Sequence, residues 1–110
     1  MSETQTNQRQ YYRLVYPFSQ MPVIIVNDDE FGVAEVSEKG LIFEFKKSNK
    51  FRVGDWITGL IRFKDGQTAK IAGRTIRINR NHIVVGQLQG LTFRNLINEQ
   101  RNIFKRFASH

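Results

Sequence analysis

Residues 56–78 constrain the fold more than any other stretch of this chain. Trp56 to Lys64 alternates, placing Ile57, Gly59, Ile61 and Phe63 on one side of an extended backbone. Asp65-Gly66 follows, and Thr68 to Ile78 is a second run of strand character. Asp-Gly between two such runs predicts a β-hairpin, because both central residues of a type I′ turn need positive φ. Further strands are predicted near 22–27, over Phe31–Val36, over Leu41–Phe45 and from His82 to Leu88. Asn27-Asp28-Asp29-Glu30, Ser37–Gly40, Val53-Gly54-Asp55 and Asn79-Arg80-Asn81 read as the turns between runs, and Lys46 to Lys50 as a basic loop. Short strands at this spacing point to a small antiparallel barrel or sandwich.

The pattern changes period at the end. Phe93, Leu96, Ile97, Ile103, Phe104 and Phe107 recur at three- and four-residue steps, with Arg101, Lys105 and Arg106 between them. This predicts an amphipathic helix over about residues 94–108, its apolar stripe capping an open end of the barrel. The competing use of such a helix is to dock a partner or a membrane surface. Residues 1–8 are polar and are expected to be disordered, leaving one domain over 9–108. At 110 residues, with nine phenylalanines, the chain can bury one core.

Composition closes off several chemistries. There is no cysteine, hence no disulfide and no thiolate metal site. His82 and His110 are too few for a zinc cluster, and the Asp28-Asp29-Glu30 turn lacks calcium-loop spacing. No P-loop, dinucleotide fingerprint or nucleophile motif is present, so a non-enzymatic role without cofactor is expected. No apolar run approaches the ~20 residues that span a bilayer, and the N-terminus lacks an apolar leader core, so a cytoplasmic location is expected. The charge is uneven. Residues 1–45 carry three Lys/Arg against seven Asp/Glu, and residues 46–110 carry fourteen against three. A positive field of this kind attracts nucleotides, nucleic acid or an acidic protein without choosing among them.

Two short segments do choose. Arg9-Gln10-Tyr11-Tyr12-Arg13 sets two arginines four apart before the first predicted strand. Glu35-Val36-Ser37-Glu38-Lys39-Gly40 forms a polar turn between two apolar runs. In order and spacing they resemble the RxxxR and [D/N]xSxxG motifs of the PilZ domain family. Gly54-Asp55, Gly73-Arg74-Thr75-Ile76-Arg77 and Val85-Gly86 also sit where that family carries similar short stretches. The resemblance covers about residues 9–105. It implies a six-stranded β-barrel with a C-terminal helix, the ligand cyclic di-GMP, and ligand contacts from Arg9, Arg13, Glu35, Ser37 and Gly40.

These residue types suit such a ligand. Guanine O6 and N7 accept an arginine fork, and the guanidinium plane can stack on a base. Tyr11 and Tyr12 offer aromatic faces. Ser37 can serve both the turn and a phosphate or base, and Gly40 permits positive φ or close backbone approach. Glu35 stands where the family has Asp or Asn. It keeps the carboxylate but adds a methylene, which displaces the acceptor by about 1.5 Å. Strand alternation places Glu35 and Ser37 on one face.

The first expectation is therefore a cyclic di-GMP receptor in bacterial motility or biofilm signalling. Its Arg9–Arg13 arm is flexible until ligand orders it, and it acts on a downstream protein as a monomer or homodimer. The alternative is a divergent PilZ adaptor that works through protein contacts alone, as in pilus or flagellar function. A basic barrel for single-stranded nucleic acid is the third reading, and the ordered motif pair argues against it.

Overall fold

The computed structural model describes residues 13–45 and 50–108. Among the described residues seven strands are present: β1 (Arg13–Val15), β2 (Val23–Val26), β3 (Asp29–Ser37), β4 (Leu41–Glu44), β5 (Trp56–Arg62), β6 (Thr68–Ile78) and β7 (His82–Gln89). The helix α1 spans Phe93–Ala108, and a single 3-10 turn at Phe18–Gln20 separates β1 from β2. Every pairing is antiparallel. The order β3-β2-β5-β6-β7-β4 closes on itself through a β3–β4 pairing, giving a six-stranded barrel. β1 is the seventh strand and continues the β2 edge along the second half of β3.

Alternation explains the interior. β4 buries Leu41 and Phe43 and turns Ile42 and Glu44 outward, while β5 sends Ile57 and Ile61 inward. Phe43 is fully buried and forms a ring cluster with Phe31 and Phe51, with centroids 5.2–5.6 Å apart. Such aromatic contacts add about 0.5–1.5 kcal/mol per pair beyond the area they bury.

Two hairpins differ in detail from the sequence expectation. The predicted four-residue turn at 27–30 is only Asn27-Asp28, with φ of 52° and 72°, and Asp29 and Glu30 already belong to β3. This is the type I′ geometry. Asp65-Gly66 instead closes a three-residue loop. Gly66 N–H donates to Phe63 O at 2.9 Å, Phe63 N–H donates to Gln67 O at 2.8 Å, and only Gly66 has positive φ. That is a type I turn followed by a glycine bulge, the next most common hairpin closure.

The helix starts where Thr92 caps it. Thr92 Oγ1 accepts from Asn95 N–H at 3.1 Å, and Asn95 Oδ1 accepts from Thr92 N–H at 3.0 Å, a reciprocal capping box. Leu96 and Ile103 are buried, so α1 packs on the barrel as expected. Phe104 does not share that stripe, being 74 % exposed, because it lies about 100° round the helix from Ile103. The side chain of Phe107 and the loop at 46–49 lie outside the described residues.

Glu99 is on the buried stripe of α1, only 1 % exposed, and Tyr16 donates its hydroxyl to Glu99 Oε1 at 2.6 Å. Burial raises the Glu99 carboxyl above its ordinary value, with the hydrogen bond from Tyr16 pulling the other way. Burial and the Glu99 bond push the Tyr16 phenol far above its ordinary value, so it stays a donor. The pair ties the chain just after β1 to the helix.

Candidate functional site

The site is created by a bulge. Val33 pairs with Phe43 and Glu35 with Ile42, so Ala34 is an extra residue on β3. Strict alternation from buried Val33 would turn Glu35 into the core. The bulge resets the phase, so that Val36 is buried and Glu35 and Ser37 face outward. β1 reinforces this face, because Leu14 is buried beside Val36 while Arg13 lies opposite Ser37 and Val15 opposite Glu35.

Arg13 reaches diagonally across the pair. Its Nε donates to Glu35 Oε2 at 2.9 Å, with the arginine side chain 67 % exposed. An exposed pair of this kind contributes roughly 0.2–1 kcal/mol to stability. Its larger effect is orientation. A fork held at Nε presents its two terminal nitrogens to an incoming acceptor. Arg13 is thus a strand residue rather than part of a flexible arm, because the β3 edge that β2 leaves open pairs with it. Arg9 and residues 1–8 lie outside the described residues.

The Ser37–Gly40 turn is closed by its own serine. Ser37 Oγ accepts from Lys39 N–H at 3.3 Å and from Gly40 N–H at 3.1 Å, and Ser37 N–H donates to Gly40 O at 2.8 Å. Lys39 O accepts from Leu88 N–H at 3.0 Å, which pins the turn against the bulged end of β7. Gly40 is required by close approach, since a Cβ there would stand 2.7 Å from Val85 O. Gly40→Ala is expected to cost about 1–3 kcal/mol by overpacking, measured as a lowered thermal midpoint. An unchanged midpoint would mean that the turn can move away from β7.

Arg13, Glu35, Ser37 and Gly40 line one outward-facing cavity of about 220 Å³, floored by Ile42, Ile76 and Gly86. A neighbouring cavity of about 250 Å³ shares Glu35 and Ile42 and adds Arg77 and His82. Arg13, Lys39 and Arg77 therefore surround the two hollows against the single carboxylate Glu35. Arg77 and Ile76 were not among the predicted site residues. They line the two hollows because a bulge at Ile76 on β6 shifts them relative to β7. Their only sequence signal was the Gly73–Arg77 stretch. His82 is less isolated than its place beside a turn suggested, lying 3.7 Å from Glu44 across the β4–β7 pair. Among the described residues no cluster of His, Asp and Glu could hold a metal ion, and no helix is long and apolar enough to cross a membrane.

A closed six-stranded barrel with its terminal helix, carrying the two motifs side by side, can be compared with known proteins. The family model of the PilZ domain matches residues 7–110. The chain belongs to the PilZ domain family. Among solved structures, the inhibitor of motility MotI/DgrA of Bacillus subtilis superposes with a TM-score of 0.65 at 12 % identity, covering 93 % of this chain and 52 % of that one. The PilZ domain of YcgR from Escherichia coli, determined with c-di-GMP, superposes with a TM-score of 0.57 at 16 % identity, covering 92 % and 94 %. At these identities the likeness is one of fold. The chain spans about half the length of MotI/DgrA. A search of the curated proteins finds no match.

Proposed function

We propose that this PilZ domain is a non-enzymatic cyclic di-GMP receptor that passes the signal on through protein contacts. The observation that carries this reading is the convergence of Arg13, Glu35, Ser37 and Gly40 on one cavity that Lys39 also lines, with Arg77 in the adjoining hollow. The YcgR domain it resembles in fold was determined with that ligand. Cyclic di-GMP presents two phosphodiesters to the cations and two guanines to arginine forks. Arg9 completes the RxxxR motif and joins Arg13 on the ligand. Binding orders the segment before Arg13, so that a small ligand changes a larger surface. Tyr16, three residues after Arg13 and bonded to Glu99, supplies a physical link from the site to α1.

Amide shifts on titration with cyclic di-GMP test this. The expected result is a set of changes centred on Arg9–Arg13, Glu35–Gly40 and Val84–Gly86, with Glu99 following. No saturable change, or changes centred on the opposite wall of the barrel, would remove the reading.

One observation favours the alternative of a PilZ adaptor without nucleotide. Glu35 is longer than the family's Asp or Asn, and its carboxylate already holds Arg13. If Glu35 serves the ligand, Glu35→Ala weakens binding by roughly 1–3 kcal/mol and Glu35→Asp preserves it. If it repels the phosphates, Glu35→Ala tightens binding, most strongly at low salt where exposed charges are least screened. Titration of both variants at two salt concentrations separates the cases, and equal affinity throughout would show that position 35 makes no contact.

A further inference from the structure

The outer face of α1 is built unlike a solvated helix surface. At about 100° per residue, Phe93, Ile97 and Phe104 fall in one row and Arg94, Arg101 and Lys105 in the adjacent row. Phe93 is 51 % and Phe104 74 % exposed, and Arg94 and Arg101 are exposed as well. The helix has one acidic residue, Glu99, and it is buried on the opposite side. Asp65 in the β5–β6 turn lies on the flank of the cationic row, where it accepts from Asn98 at 3.4 Å and Asn102 at 2.8 Å and is held by these amides. Between the helix and Gln67 lies a groove of about 610 Å³, lined by Phe93, Arg94, Ile97 and Arg101.

We propose that this groove docks an acidic amphipathic segment of a partner protein. Arg94 and Arg101 are two turns apart, about 10 Å along the axis. That spacing receives two carboxylates of the partner with an apolar side chain between them, against Ile97 and Phe93. Charge complementarity selects the sign, since residues 46–110 carry fourteen Lys/Arg against three Asp/Glu. The shape selects a polypeptide over a bilayer. The groove is concave, and the main apolar stripe of the helix, Leu96 and Ile103, is already covered by the barrel. The proposal rests on the adaptor half of the function above and not on nucleotide binding.

The test is fluorescence anisotropy of a labelled peptide of alternating Glu and Leu, with and without cyclic di-GMP. The parent is expected to bind it saturably, and Arg94→Glu with Arg101→Glu to weaken binding at least about tenfold. Lys70→Glu, an exposed charge reversal on another face, is expected to leave it unchanged. Absence of saturable binding, or equal loss in Lys70→Glu, overturns the proposal. So does preferential, Arg94- and Arg101-dependent binding to phosphatidylglycerol vesicles or to a single-stranded oligonucleotide. Peptide binding in a chain that ignores cyclic di-GMP keeps the groove and rejects the receptor reading.

Discussion

Replacing Arg9 and Arg13 together by alanine is expected to abolish measurable cyclic di-GMP binding while leaving the fold intact. Each charge-assisted hydrogen bond contributes roughly 1.5–3 kcal/mol, so two lost arginines weaken binding by about a hundredfold or more. Arg13→Ala alone is expected to cost about tenfold to a hundredfold. The fold survives because Arg13 lies outward on β1 with its side chain 67 % exposed, and its pair with Glu35 contributes little to stability. Calorimetric titration and a thermal melt on the same samples check both halves. Parental affinity in the double variant would show that neither arginine of RxxxR contacts the ligand in this chain.

Breaking the buried Tyr16–Glu99 pair on one side is expected to destabilise the domain. Tyr16→Phe removes the donor and leaves the Glu99 carboxyl buried beside it, costing about 1–3 kcal/mol. In a domain of this size that lowers the melting midpoint by about 4–8 °C per kcal/mol. Replacing both residues, Tyr16→Phe with Glu99→Leu, is expected to recover most of the loss, because no polar group is then left without a partner. The pH dependence has a definite sign. Glu99 has a raised folded-state pKa, for which burial is the main cause. The unfolded chain therefore releases this proton first. The contribution is complete below the ordinary carboxylate range and is lost as pH rises through the raised value. Glu99→Gln cannot ionise, so its midpoint relative to the parent rises with pH. A gap between the two proteins that stays constant from acid to alkaline pH would show that Glu99 does not carry the dependence.

The strands and the helix were legible because their signals are local. Alternation in 56–64, the Asp-Gly pair and the 3.6-residue period of the helix each reflect which side chains can share one face. The two motifs were legible because their order and spacing resemble those of the PilZ domain family. What stayed hidden depends on partners distant in sequence. Three residues, Arg13–Val15, carry almost no strand signal, yet they pair because β3 is longer than β2 and leaves an edge to fill. Alternation put Glu35 and Ser37 on one face, as found, whereas the choice of the outer face depends on the Ala34 bulge. The trace of that bulge is the three-residue step from Val33 to Val36. Glu99 falls at a three-residue step from Leu96 and a four-residue step from Ile103, on the apolar stripe, but a carboxylate there becomes informative only once Tyr16 is known to face it. Arg77 enters the site through the Ile76 bulge and a neighbouring strand, which no spacing rule anticipates.

Calorimetric titration of the unmodified chain with cyclic di-GMP, alongside a single-stranded oligonucleotide, decides whether the proposed cavity bounded by Arg13, Glu35, Ser37 and Gly40 receives this ligand. Saturable binding of cyclic di-GMP and negligible heat from the oligonucleotide are expected. No binding of cyclic di-GMP would contradict the receptor reading and leave a PilZ adaptor that works through protein contacts, and tighter binding of the oligonucleotide would contradict it in favour of a nucleic-acid barrel.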